Sequence, residues 1–471
     1  MPFKLSMPTS FGLLIILLFF FAALTHVLPA GQYQKEFSDA LGREVPVAGS
    51  YQYTEASPQG LADIVLAPIA GFYDPSTYAA AAIDVGLFVL MIGGFLGVVT
   101  KTGAIDTGIA RVTAKLQGKE IWMIPILMIV FALCGTTFGM AEETIPFYGL
   151  LIPVFLAAGF DALTAVAVIM IGAGIGTMGS TINPFATVLA SNAAGISFKD
   201  GMELRLFIFG IGLFVCIFWV MRYAIKVKKD PQSSLVASFR ESNLAHFLGD
   251  NQNQNQETPE LTKTQSLVLA LFASTFGIMV WGITAGGWWM AEMSALFIVM
   301  GIIIGFVARL GEQQIVNSFV AGASDLVGVA LVIGLARGIV VILNDGAIID
   351  TLLNYAESVA VGTSSVVFIN VIYIIEALLS FVISSSSALA VLSMPILAPL
   401  GDFAGVDRSL VVTAFVTGMG VVHMVTPTLA FLMGGLAIGR VPFSTWVRFA
   451  GPLLLVLSAI NMTILSIAVL M

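Results

Sequence analysis

The chain has 471 residues, 58% of them hydrophobic and only 10% charged, whereas a soluble domain carries about 25% charge. With a mean hydropathy of +0.99 and a pI near 4.9, it has no polar surface for water and no basic stripe for phosphates. Soluble enzymes, disordered scaffolds and nucleic-acid binders are therefore excluded, and an integral membrane protein remains. Cys134 and Cys216 both lie in apolar stretches and read as small core hydrophobes.

The first charge-free run, Leu5 to Gln34, is densest from Phe11 to Leu28. That part is long enough to cross a hydrocarbon core of about 30 Å, and no A-x-A cleavage pattern follows it. Residues 1–28 are read as a first transmembrane helix and 29–78 as an extracytoplasmic loop, because Lys35 and Arg43 there are outnumbered by acids. Further spans are expected at Ala79 to Thr100, Leu206 to Met221, Gln265 to Met290, Met293 to Ala308, Leu326 to Leu343 and Phe449 to Met471. Residues 223–264, with Lys226, Lys228, Lys229, Arg240 and Lys263 around a polar Asn251 to Gln256 tract, read as a flexible cytoplasmic linker.

The flanking regions echo each other. Ile92-Gly-Gly-Phe-Leu-Gly97 before Gly103-Ala-Ile-Asp106 matches Ile333-Gly-Leu-Ala-Arg-Gly338 before Gly346-Ala-Ile-Ile-Asp350. Pro153, Gly159 and Asp161 recur as Pro399, Gly405 and Asp407, each set followed by a glycine-rich run that ends in Pro184 or Pro427. Lys101 to Glu120 is basic while Asn344 to Gly362 carries only acids, so the copies point in opposite directions. The expected fold is an all-α polytopic membrane protein with two inverted-topology repeats, 79–222 and 309–471, separated by the linker and two scaffold helices at 265–308.

Each repeat should hold a re-entrant hairpin (121–160 and 363–401) and a broken helix (162–198 and 409–439). Ala162 to Phe198 has no charge and is too long for one straight span, and the glycines from Gly172 to Gly179 followed by Pro184 should interrupt it. Backbone groups freed at that depth are tolerated only beside protein or a water-lined cavity. Glycine-rich packing of an unbroken helix is the plainer reading, but the second copy repeats the feature from Gly418 to Thr428. The hairpin tips are Gly135 to Pro146, with Glu142 and Glu143, and Ser384 to Ser387. Nine full spans then put the N-terminus in the cytoplasm and the C-terminus outside.

Half-helix N-termini suit a carboxylate, and hydroxyls and carbonyls of unwound segments suit Na⁺. Candidate substrate or ion ligands are Thr136, Thr137, Glu142, Glu143, Thr144, Ser180, Thr181, Asn183, Pro184, Thr187, Arg337, Ser384, Ser385, Ser386, Ser387, His423, Thr426, Pro427 and Thr428. Any one of the hydroxyls also suits plain helix-to-helix bonding. Glu142 and Glu143 together call for a cation, a proton or a basic side chain. Arg337 reads either as a carboxylate ligand or as the structural partner of Glu376 or Asp325. His423 is either a ligand or a helix-break histidine. No cofactor and no metal-ligand spacing is expected, beyond a coupling H⁺ or Na⁺.

These residues resemble the anaerobic four-carbon-dicarboxylate carrier (DcuC-type) family, in its YfcC-like branch, within the ion-transporter superfamily. The resemblance runs over nearly the whole chain and is carried by Gly322 to Gly338, Leu343 to Gly346, Ala390 to Asp402 and Ser180 to Thr187. It implies an elevator-type secondary transporter of the bacterial inner membrane, a homodimer in a lipid bilayer, with a small-molecule substrate held at hairpin tips and helix breaks. The branch is linked both to dicarboxylates and to basic amino acids. Glu142 and Glu143, without Lys or Arg in the candidate loops, favour an arginine/ornithine-type exchanger over a proton- or sodium-coupled dicarboxylate carrier. The Ser-Asn-Thr signature of sodium-coupled relatives is absent from both tips. A channel or an intramembrane enzyme is the remote alternative, and no G-x-S-x-G nucleophile pattern stands out.

Overall fold

The computed structural model describes residues 10–38, 43–47, 49–77, 82–105, 107, 108, 111, 118–248, 261–288, 290–360 and 362–471. The polar Asn251 to Gln256 tract and Asp106 of the first echo lie outside the described residues. Nine described helical stretches are long and apolar enough to cross a membrane. This set of nine differs from the one expected: it includes hairpin arms at Glu120–Thr137, Ser365–Val382 and Ser386–Phe403, whereas the apolar stretches Phe11–Leu24, Lys263–Met279 and Arg408–His423 are shorter.

The centre of the molecule is a pair of helices, α6 (Ala162–Gly179) and α17 (Arg408–His423), packed on each other. α6 is apolar on every side and buried along its whole length save Thr177, as befits a helix with no face for solvent. The same neighbours surround each of the two. The hairpin arms α4 (Met123–Phe138) and α5 (Ile145–Ala157) pack on α6, and the arms α15 (Ser365–Val382) and α16 (Ser386–Phe403) pack on α17. α8 (Met202–Lys229) lies against α6 as α19 (Phe443–Leu470) lies against α17. The short helices beyond each break cross over: α7 (Leu189–Ala193) touches α16, and α18 (Ala430–Ile438) touches α5.

A second group flanks this bundle. α3 (Ile83–Lys101) packs on α11 (Met290–Val307) and α12 (Glu312–Asp325), and α13 (Val327–Asp345) packs on α1 (Ser10–Leu24) and α2 (Leu61–Ala70). α10 (Lys263–Ala285) leans on α11. The echoed glycines sit at these crossings. A β-carbon on Gly97 would stand 3.0 Å from Gly322 Cα of α12, and one on Gly338 would stand 2.8 Å from the Ala67 carbonyl carbon of α2.

The 29–78 segment is an ordered cap rather than a plain loop where it is described. β1 (Gly31–Gln32) pairs antiparallel with β4 (Gln52–Tyr53), and β2 (Lys35–Ser38) with β3 (Arg43–Pro46). It is bound to α14 (Ile349–Ala360): Tyr33 donates its hydroxyl to Glu357 at 2.7 Å and its amide to Asp350 at 3.1 Å, and Tyr51 Oη lies 2.8 Å from Thr351 Oγ1. At the other end Lys228 pairs with Glu120 at 3.0 Å, and Asp161 accepts from Tyr223 and Ser234 at 2.7 and 2.6 Å. α9 (Arg240–Leu248) packs on α5 at that end.

Candidate functional site

The expected break in α6 lies just beyond the glycines, which stay helical because they let α4 approach. The helix ends at Ser180, whose φ of 4° and ψ of 83° leave the helical region. A one-turn wide helical segment restarts at Pro184 to Val188. Proline suits this first position because its missing N–H had no partner there. Asn183 caps the segment, its Oδ1 accepting from Phe185 N at 2.9 Å and Ala186 N at 3.3 Å. Thr187 closes the break by donating to the Ser180 carbonyl at 2.6 Å.

Each break is tied to the hairpin arm beside it. Thr136 Oγ1 accepts from Thr181 N at 3.0 Å, and the Thr136 carbonyl accepts from Ile182 N and from Thr181 Oγ1, both at 3.3 Å. In the second set the Phe381 carbonyl accepts from Thr428 at 3.1 Å and Thr426 at 3.5 Å. Residues Thr136, Thr181, Thr426 and Thr428 thus join hairpin to break in the same way twice.

The tips differ in chemistry. α4 ends at Gly139, whose φ of 77° is left-handed, a conformation that costs glycine little. A β-carbon at Gly139 would also stand 2.7 Å from the Asn183 side-chain amide. Glu142 and Glu143 follow in the turn that opens α5, where acids complement the positive end of a helix. Glu143 folds back on its own turn, accepting from Ala141 N at 2.9 Å, and is buried, while Glu142 is half-buried. Thr144 is tied down too, donating to the Ala141 carbonyl at 2.6 Å. At the other tip Ser385 caps α16, accepting from Ala388 N at 3.3 Å.

The two tips meet the flanking helices around a cavity of about 290 Å³. Glu142 and Glu143 line one side, Ser384, Ser385, Ser386 and Ser387 another, and Thr428 with the start of α18 a third. Arg337 of α13 and Asp84 at the start of α3 line the cavity from the flanking helices. The first residues of α16 and α18 both line it, and the positive end of a helix suits an anion.

Of the candidate ligands, Glu142, Glu143, Arg337, the four serines and Thr428 line this cavity. Thr136, Thr137, Thr144, Ser180, Thr181, Asn183, Pro184, Thr187, His423, Thr426 and Pro427 are not among its lining residues. Most of these brace the wall through the bonds just described. Thr137 donates to the Leu133 carbonyl at 2.7 Å. His423 is buried, its Nε2 without a partner among the described residues. Arg337 pairs with neither Glu376 nor Asp325, since the ion pairs among the described residues are Lys228–Glu120 and Arg408–Asp402.

Asp84 is the lining residue that the sequence reading misses. The Ala79 to Thr100 run looks like one span, but its helix begins at Ile83 after the turn at Gly71, so Asp84 falls at a helix start on the cavity wall. The signal was an acid five residues into the Ala79 to Thr100 run.

The sequence model of the C4-dicarboxylate anaerobic carrier (DcuC) family matches residues 7–470. An uncharacterized protein of Haemophilus influenzae is 34% identical over 502 aligned positions, covering 98% of this chain and 97% of its own. An Escherichia coli protein named "Putative basic amino acid antiporter YfcC" is 34% identical over 398 positions, covering 82% of this chain and 77% of its own. Two solved structures align with a TM-score of 0.39 each. One is the YdaH transporter of Alcanivorax borkumensis, at 14% identity and 98% of both chains. The other is MtrF of Neisseria gonorrhoeae, from a class described as antimetabolite efflux pumps, at 17% identity, 97% of this chain and 95% of that one. The chain belongs to the C4-dicarboxylate anaerobic carrier (DcuC) family and is a multi-pass membrane transporter.

Proposed function

We propose that the protein is a secondary transporter that exchanges basic amino acids of the arginine/ornithine type across the bacterial inner membrane. The observation that carries this reading is the composition of the cavity wall: Asp84, Glu142 and Glu143 line it together with Arg337. A basic amino acid brings two cationic groups and one carboxylate. Its cations match the acids, and its carboxylate matches Arg337 and the N-termini of α16 and α18. A dicarboxylate would set two anions against three acids, an unfavourable juxtaposition in a partly desolvated site. The name of the Escherichia coli relative agrees with this substrate class.

The second reading, a proton- or sodium-coupled dicarboxylate carrier, is favoured by Arg337 with the two helix N-termini and by the description of the family. Counterflow of radiolabelled arginine against ornithine, with succinate against fumarate in parallel, at two pH values with and without Na⁺, separates the two. Arginine exchange without succinate flux supports the first reading, and the converse outcome rejects it.

The mechanism we infer is an elevator of two inverted repeats, in which α4–α8 and α15–α19 move as one body against α1–α3 and α10–α13. The duplicated packing supports this and lengthens the repeats expected from sequence. α2 on α13 mirrors α12 on α3, and α1 on α13 mirrors α11 on α3, so each repeat starts with α1 or α11. Segments that loop charge assigns to one side also touch: the cap meets α14, and Glu120 meets Lys228. This agrees with a cytoplasmic N-terminus and an outside C-terminus, and a homodimer in the bilayer completes the proposal.

A further inference from the structure

Glu376 lies in the middle of α15, fully buried, and neither of its carboxyl oxygens has a hydrogen-bond partner among the described residues. It is outside the cavity lining. Ser393 of α16 stands beside it, but that hydroxyl donates to the Leu389 carbonyl at 2.9 Å. The helices packed on α15 bring no cation to it. α16 and α17 carry Asp402 and Arg408, paired with each other at 2.6 Å, and His423 at the end of α17. α19 carries Arg448 near its start, and α14 carries Asp350 and Glu357, both engaged by Tyr33.

An ionised carboxylate with no partner in a protein interior costs several kcal/mol, so the buried group is held as the neutral acid. Glu376 and Ser380 lie one turn apart on one strip of α15, which ends at Val382, and Ser384, two residues beyond that end, lines the cavity. The Ser380 hydroxyl donates to the Ala377 carbonyl at 2.8 Å and keeps acceptor capacity of its own.

We propose that Glu376 is a reversible proton-binding site, separate from the substrate cavity, and that the body carrying the second hairpin crosses with this proton bound. On loading, a hydronium ion from the cavity side gives its proton to a carboxylate oxygen, forming one O–H bond and leaving water. On release the carboxyl O–H bond breaks and a water molecule takes the proton, forming hydronium again, so one O–H bond is exchanged for another and nothing is oxidised or reduced. The crossing step rests on the moving body proposed above, whereas the proton site itself does not.

Two readouts test it. Infrared difference spectra of the purified protein between mildly acidic and alkaline buffer should show a carboxylic-acid C=O band that disappears in alkali and is missing from Glu376→Gln. Glu376→Gln should keep the wild-type thermal midpoint. In proteoliposomes, uptake of labelled arginine or succinate should respond to an imposed pH gradient in wild type, lose that response in Glu376→Gln and regain part of it in Glu376→Asp. A band unchanged by the substitution, or one that persists in alkali, overturns the proton site. A Glu376→Gln protein that still follows the gradient, or a wild type that ignores it, overturns the coupling. If neither label moves, the substrate reading fails while the infrared band still decides the proton site.

Discussion

Gly135 and Gly176 face each other where α4 crosses α6, so close that a β-carbon on Gly176 would stand 2.8 Å from Gly135 Cα and one on Gly135 would stand 3.1 Å from Gly176 Cα. Small residues let helices in a membrane approach through their backbones. The next residue, Thr136, holds Thr181 at the break, so separating the helices also moves the hairpin relative to the break. Gly176→Ala should therefore cost about 1 to 3 kcal/mol of stability by overpacking and depress transport. Gly210→Ala on α8, where nothing lies within 4 Å, should do neither. Thermal unfolding in detergent and counterflow in liposomes check the pair.

The sequence shows the hairpin tips because polar residues interrupt apolar runs there: Glu142 and Glu143 in one, Ser384 to Ser387 in the other. Both breaks are legible too, but not their position. Gly172, Gly174 and Gly176 look like helix breakers, yet packing keeps them helical and the chain turns only at Ser180. α2 is hidden because it has ten residues and contains Asp63 and Pro68, too short and interrupted to read as a span. Asp84 is hidden for the complementary reason, since an unbroken apolar run masks a helix start. The cavity pairs residues more than two hundred positions apart, and no local pattern records such a meeting.

In the proposed exchanger, Arg337 on the cavity wall takes the substrate carboxylate. Removing a hydrogen-bonding partner of a charged group costs about 1.5 to 3 kcal/mol, so Arg337→Gln should raise the apparent KM for arginine about ten- to hundred-fold. Agmatine, which is arginine without its carboxyl group, offers nothing for Arg337 to bind. Competition by agmatine should therefore be nearly the same in wild type and variant. An equal loss for both compounds would remove Arg337 from carboxylate recognition.

Asp84 tests the opposite end of the substrate. It belongs to the flanking helices rather than to a hairpin, so it acts from the static side of the proposed elevator. Asp84→Asn keeps the size of the side chain and removes its charge. The variant should weaken arginine and ornithine by about ten-fold or more and leave membrane insertion intact. Unchanged exchange kinetics would place the cation elsewhere in the cavity.

Tyr33 anchors the cap to α14 through its hydroxyl on Glu357 at 2.7 Å. Burial of the phenol, with Glu357 accepting from it and repelling its anion, pushes the Tyr33 pKa up from its ordinary value of 10.0. The folded protein thus keeps a proton that the unfolded chain releases near pH 10. The resulting stabilisation is whole below that pH and is lost as pH rises above it toward the raised folded value. Tyr33→Phe removes the bond and should cost about 1 to 2 kcal/mol, felt as faster amide exchange in the strands Gly31–Gln32 and Gln52–Tyr53. In wild type, the same amides should lose protection in strongly alkaline buffer beyond the ordinary acceleration of exchange, and Tyr33→Phe should show no such extra loss. Equal alkaline sensitivity in both proteins would show that the phenol proton does not hold the cap.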